Sequence, residues 1–160
     1  MNELHFYFGA ERQAGLVAVL LGAVSLAAAV YLWSARTPFR AAAWPLIVFG
    51  LIEAGVGGAL VVRTPAQVRR LDAAFASSPQ AAADAERQRM ARVNRAFRAI
   101  MAGELVLITV GACLAFFLRT GNDTWSGIGM GLLLQASALL VFDIVAERRA
   151  HAYSQWLSTW

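Results

Sequence analysis

Residues 98–118 read RAIMAGELVLITVGACLAFFL. The run is apolar for a full bilayer thickness, because a helix rises about 1.5 Å per residue and the hydrocarbon core takes about 20 residues. Inside it stands one carboxylate, Glu104, and at its foot are three arginines, Arg92, Arg95 and Arg98. Three other runs share this design, residues 13–34, 41–62 and 124–146, and two of them enclose an acid, Glu53 and Asp143. The chain has 160 residues, 59% of them hydrophobic, more than a water-soluble domain usually carries. The expectation is a single all-α integral membrane domain over residues 1–160, folded as a four-transmembrane-helix bundle. The first twelve residues hold Glu3, Glu11 and only one arginine, so no cleaved signal segment is expected.

Charge orients the bundle. All 14 basic residues are arginine, and the net charge is +4. With four spans, both termini and the 63–97 segment share a side. That side carries eleven arginines, including Arg12, Arg63, Arg69, Arg70, Arg148 and Arg149, while the other carries Arg36, Arg40 and Arg119. Short loops with this asymmetry put the arginine-rich side in the cytoplasm, so the protein is expected in the inner (plasma) membrane with both termini cytoplasmic. The basic balance follows the membrane and gives no reason to expect a nucleic-acid partner. Trp33, Trp44 and Trp125 fit the outer aromatic belt, and Phe6, Tyr7, Phe8, Tyr153, Trp156 and Trp160 the inner one.

Local signals divide the rest. Thr37-Pro38 reads as a cap opening the second span, and Thr64-Pro65-Ala66-Gln67 as a capping box opening a cytoplasmic helix. Val68, Leu71 and Phe75 share one face of that helix, and Met90, Val93 and Phe97 share a face of the next. Their spacing predicts a cytoplasmic helical hairpin at about 65–97, between spans two and three. Ser77-Ser78-Pro79 breaks the chain and caps a helix of about 40 residues that runs to Leu118. Thr120-Gly121-Asn122-Asp123 reads as the outer turn. Gly50, Ala54 and Gly58 form a small-residue stripe, and Gly127, Gly129 and Gly131 also read as packing positions rather than a phosphate loop. The tail, about 150–160, reads as an interfacial helix.

The intramembrane acids need a cause, since a charge near the bilayer centre costs about 2.5–3.5 kcal/mol. By helical rise Asp143 lies about 5 Å deep, Glu104 about 9 Å and Glu53 about 14 Å. Gln135 lies near the midplane on the face of Asp143, and Glu147 and His151 continue that face downward. The outer half offers Ser25, Thr109 and Cys113 and nothing ionisable. The polar residues therefore outline a pocket open to the cytoplasm and closed above, unlike a conducting pore. In this reading Glu53, Glu104, Asp143 and Gln135 bind a ligand or proton, and Arg95, Arg98 and Arg63 attract an anionic headgroup or balance the acids. The plainer alternative pairs the acids with Arg98, Arg63 or Arg12, or leaves them protonated against neighbouring backbone groups, so that they only set helix register.

No metal site is expected. Glu147 and His151 stand at i, i+4, whereas di-metal bundles use Glu-x-x-His at i, i+3, twice over. Neither histidine lies within a span, so a Ser-His-Asp arrangement is not expected. Cys113 is the single cysteine, which excludes an internal disulfide and leaves a small packing residue. Catalytic residues and cofactors are not identified by these features.

Three functions follow from the pattern. The first is a membrane bundle, homo-oligomeric or joined to a protein partner, that binds or transports a small polar or amphiphilic ligand. The second is an interaction protein, such as an accessory subunit or an immunity protein, that acts through its hairpin. The third is a lipid- or isoprenoid-modifying enzyme, which the scarcity of His and Ser disfavours.

Overall fold

A computed structural model describes residues 2–35, 37–117 and 123–160 of the chain. Met1, Arg36, Leu118, Arg119, Thr120, Gly121 and Asn122 lie outside the described residues, and with the last of these most of the expected outer turn.

Four long helices make up the described chain: α1 (Asn2–Ser34), α2 (Ala43–Ser77), α3 (Pro79–Phe116) and α4 (Asp123–Leu157), with a 3₁₀ turn, Arg40–Ala42, ahead of α2. They hold 33, 35, 38 and 35 residues, which is about 50–57 Å each. Each is long and apolar enough to cross a membrane, with length to spare beyond the hydrocarbon core. The surplus gathers at the end that holds both termini and the α2–α3 connection, here called the terminal end.

Glycine decides how the helices pair. α1 lies along α2, and α3 along α4, while contact between the two pairs is sparser. A Cβ on Gly22 would sit 2.5 Å from the Gly50 carbonyl oxygen, and one on Gly57 would sit 2.5 Å from that of Gly15. A Cβ on Gly129 would sit 2.7 Å from the Gly111 carbonyl oxygen in the second pair. Only hydrogen at these positions lets the backbones approach so closely, the usual basis of packing between apolar helices in lipid. The α2 stripe is thus Gly50, Ala54 and Gly57; Gly58 faces open space, one residue around the helix from its expected role. Gly127 and Gly131 meet the Ala41–Pro45 corner, which places the whole glycine run in packing.

Several start signals read differently in the folded chain. α2 does not begin anew at Thr64-Pro65 but runs straight through Pro65. Thr64 is buried, and its hydroxyl donates to the Leu60 carbonyl at 2.6 Å. That bond uses the side chain one turn back along the helix, the way a proline is accommodated in an apolar helix. Thr37 does not cap α2 either. The helix starts at Ala43 with no side-chain cap, and the Thr37 backbone carbonyl accepts instead from the Arg40 N–H. Ser78 does separate α2 from α3, and Pro79 opens α3, but the Ser78 side chain makes no cap bond.

The terminal end is a packed core. Leu4, Tyr7 and Phe8 of α1 meet Phe75 of α2, Ala82, Ala83 and Met90 of α3, and Ala150, Tyr153 and Leu157 of α4. Val68, Leu71, Val93 and Phe97 join this cluster from its rim. The expected hairpin faces therefore do pack, but as part of a four-helix assembly rather than a free-standing pair. The expected interfacial helix at 150–160 is the unbroken continuation of α4. Tyr7, Phe8 and Tyr153, expected at the inner aromatic belt, point into this core instead: Tyr7 stacks on Tyr153 with ring centroids 4.3 Å apart. Aromatic rings bury more apolar area here than a half-wetted position would allow.

Candidate functional site

The two helix pairs leave a cavity of about 550 Å³ between them. Each helix contributes a stripe at three- and four-residue spacing, which is one face of a helix. α1 supplies Tyr7, Glu11, Ala14, Ala18 and Leu21, and α2 supplies Phe49, Glu53, Val56, Leu60 and Arg63. α3 supplies Arg89, Val93, Phe97, Ile100, Glu104 and Leu107, and α4 supplies Leu139, Phe142, Asp143, Ala146 and Arg149. Most of the wall is hydrocarbon. The polar groups are set at two levels.

The upper level holds the three acids anticipated from sequence. Glu53 is 4% exposed and Glu104 is 5% exposed. Gln135 of α4 donates from Nε2 to Glu53 Oε1 at 2.6 Å, and Ser25 of α1 donates to Gln135 Oε1 at 3.3 Å. Gln135 thus supports Glu53 from behind and does not line the cavity itself. The carboxyl groups of Glu104 and Asp143 face each other closely enough to share a hydrogen bond. Such a bond needs one proton between the two acids. Glu53 Oε2 and Glu104 Oε2 are buried with no hydrogen-bond partner. Unsatisfied buried acceptors are uncommon and call for a role.

The lower level is charged and internally paired. Arg63 lies 3.5 Å from Glu11. Arg89 grips Glu86 with two bonds, Nε to Oε2 at 2.8 Å and Nη2 to Oε1 at 2.7 Å. Glu86 also accepts from the Tyr153 hydroxyl at 3.3 Å. Arg149 donates to the Ala10 carbonyl at 3.2 Å. Burial pushes the Glu11 carboxyl above its ordinary range, against the opposing pull of Arg63 and Arg89. Burial alone would lower Arg89, but the bonds and charge of Glu86 outweigh it and the guanidinium is held charged.

Among the described residues no arginine pairs with Glu53, Glu104 or Asp143, so the plain ion-pair alternative does not hold for them. Arg12 and Arg98 are exposed, and Arg63 is engaged by Glu11. Of the three arginines expected at the site, only Arg63 lines the cavity; Arg95 and Arg98 are exposed and outside its lining. They stand six and nine residues beyond Arg89, which at about 100° per residue turns both off the cavity face. Arg89 and Arg149 take their place. They were findable by continuing the Glu104 and Asp143 stripes downward in steps of three and four. Glu86 is the buried partner that the stripe reading missed. Cys113, expected inside the packing, is exposed.

Towards the terminal end the cavity meets the core cluster, with which it shares Tyr7, Val93 and Phe97. Of the lining residues, Leu21 on α1, Ile52, Val56 and Arg63 on α2, and Ala96, Ile100 and Gly103 on α3 are exposed, so most of the open wall belongs to α2 and α3. The opening therefore faces sideways, between the two helix pairs.

Glu147 pairs with His151 at 2.8 Å, and His5 with Asp72 at 3.2 Å, both away from the cavity lining. Among the described residues no group of three or more His, Cys, Asp or Glu is arranged to hold a metal ion. No protein-family model, no curated protein and no solved structure matches this chain.

Proposed function

We propose that the chain is a multi-pass inner-membrane protein whose intramembrane cavity binds a small amphiphilic molecule, with Glu53, Glu104 and Asp143 as its polar contacts. The observation that carries this reading is a cavity of about 550 Å³ whose wall is mostly hydrocarbon and whose polar groups include two buried acceptors without partners, Glu53 Oε2 and Glu104 Oε2. Convergence of a few polar groups in an apolar hollow is the general form of a small-molecule site. By the arginine asymmetry the terminal end faces the cytoplasm. The acids then lie in the half of the membrane nearer the cytoplasm, and the same geometry would serve binding or one half of a transport cycle.

Photolabelling with a diazirine-bearing alkanol tests it on the full chain in nanodiscs. Labels are expected on Val56, Ile100, Leu139 and Phe142, and their yield should fall when Glu53 and Glu104 are both changed to Leu. Labels spread evenly over outward positions such as Leu20, Val24 and Val62, which are well exposed, would overturn the reading.

A second reading, an interaction protein, is supported by a different observation. Arg69, Arg70, Arg92, Arg95, Arg98 and Arg148 are all exposed towards the terminal end. That surface suits an acidic protein partner and, where it meets the membrane, anionic headgroups. The two readings separate cleanly, because one depends on the buried acids and the other on exposed arginines.

A further inference from the structure

The geometry points to the charge class of the ligand: a lipophilic ammonium, meaning a protonated amine on a hydrocarbon chain, that reaches the cavity from the bilayer between α2 and α3. This rests on the cavity-binding reading above and narrows it.

The argument begins with which groups are still free to bind. Each arginine on the wall already has its partner: Arg63 has Glu11, Arg89 has Glu86, and Arg149 has the Ala10 carbonyl. An anionic headgroup would compete with Glu11 and Glu86 for Arg63 and Arg89 and would find an acid-free guanidinium only at Arg149, and it would approach Glu53 and the Glu104–Asp143 pair, which carry charge of its own sign. The acids are in the opposite position. Glu53 Oε2 and Glu104 Oε2 are buried acceptors with no donor, and no cation of the described chain lies within ion-pairing distance of them. What completes this site is a donor carrying positive charge. In an apolar surround such a pairing is stronger than in water.

The walls select the remainder of the molecule. Around the acids stand Val56, Leu60, Ile100, Leu107, Leu139 and Phe142, a lining that suits an alkyl or aryl body. Among the described residues no three of the acids are grouped so as to hold an inorganic cation together. The route follows from exposure. Ile52, Val56, Ile100 and Gly103 form the outward rim, and a Cβ on Gly103 would meet no atom within 4 Å. Arg63 is exposed at the lower end of this opening; above it the rim is apolar on both sides, so a solute dissolved in the bilayer meets no polar barrier there before the acids.

Equilibrium dialysis of radiolabelled octylammonium, octanoate and octanol against the full chain in nanodiscs tests this, with empty nanodiscs subtracted. Octylammonium is expected to bind saturably and at least tenfold more tightly than the other two. Glu53→Gln and Glu104→Gln should each weaken octylammonium at least tenfold and leave octanol unchanged. Gly103→Phe, at the rim, should lower octylammonium binding at least tenfold, whereas Gly58→Phe, at another open position, should not. If either Gln variant fails to elute as folded protein, Asp143→Asn and the ranking of the three probes on the unaltered chain carry the test. Equal or tighter binding of octanoate would overturn the ammonium assignment while leaving the cavity reading intact. Absence of saturable binding by all three probes would overturn both. Loss of octylammonium binding in Gly58→Phe as well as Gly103→Phe would overturn the lateral route.

Discussion

Gln135 Nε2 donates to Glu53 Oε1 at 2.6 Å across the middle of the bundle. The bond ties α4 to α2, and the Ser25 hydroxyl adds α1 to the same chain of contacts. It also fixes which carboxylate oxygen is left facing the cavity. Removing this donor, Gln135→Leu, leaves a buried acid with only the Ser25 hydroxyl nearby and is expected to destabilise by about 1–3 kcal/mol. Changing both partners, Glu53→Leu with Gln135→Leu, should restore most of that loss while abolishing ligand binding. Thermal unfolding in detergent, followed by tryptophan fluorescence, checks the pair of outcomes. If the double variant is less stable than the single one, the bond contributes more than this argument allows.

The helix pairs are held by close backbone approach, so they should be sensitive to added volume at a few positions and indifferent elsewhere. Gly22→Leu and Gly129→Leu each force a side chain against a backbone in the partner helix. Overpacking of this kind costs about 1–3 kcal/mol, and here it should separate α1 from α2 or α3 from α4. Gly58→Ala adds its methyl to open space and should be neutral, or stabilise by up to about 1 kcal/mol through helix propensity. Unfolding midpoints of the three variants measure the contrast.

Glu86 and Arg89 form a two-bond pair inside the terminal core, with Glu86 only 3% exposed. Losing one member leaves the other charge uncompensated, so Glu86→Leu or Arg89→Leu should cost about 3 kcal/mol or more. The double variant should recover much of the loss, because hydrophobic residues fill a buried pair's place well. A double-mutant cycle by thermal denaturation gives the coupling directly. A coupling near zero would mean that the pair is solvated and not part of the core.

Tyr7 and Tyr153 stack inside the same core. Tyr7 is pushed from the ordinary 10.0 up to about 12, first by burial and then by the Glu11 charge. Tyr153 is also pushed up, by burial and by Glu86. In the unfolded chain both rings ionise at lower pH than in the folded one. Above pH 10 the unfolded state therefore holds fewer protons than the native state, and stability falls as pH rises. The contribution is intact below pH 10 and is lost progressively as pH climbs through about 12. Melting temperatures measured from pH 8 to 12 should fall along this course, and Tyr7→Phe with Tyr153→Phe should flatten the upper part of the curve.

Much of this was legible before folding was considered. Four apolar runs, each long enough for a bilayer, leave little choice of architecture. An acid inside such a run is visible because nothing around it shares its polarity, and Glu53, Glu104 and Asp143 stand out in this way. Glu86 and Arg89 were hidden for the converse reason. They sit among Asp84, Arg87, Arg92 and Arg95, where charge at i, i+3 resembles any solvated helical face, and only docking of α1 and α4 onto that face buries them. Thr64-Pro65 misled because the same residues serve a cap in water and a back-bonded turn in an apolar helix. Which of Gly57 and Gly58 meets α1 depends on the azimuth of the crossing, and composition does not encode that.

Orientation can be read with cysteine chemistry. Cys113 is exposed on α3, so Cys113→Ala fills no core position and removes the only native thiol at little cost. On that background, cysteines placed at Arg95 and at Gln155, both exposed, sit on the end that carries most of the arginines. Cysteines at Trp33 and Thr124 sit at the opposite end, beyond Ala29, Ala43 and Leu46, which pack together there. The positive-inside rule puts the first two in the cytoplasm. A membrane-impermeant maleimide added to intact spheroplasts should therefore modify the Trp33→Cys and Thr124→Cys chains and spare the other two until the membrane is permeabilised. The reverse pattern would turn the bundle over, and the acids would then lie nearer the outer face, reachable by amphiphiles of the opposite leaflet.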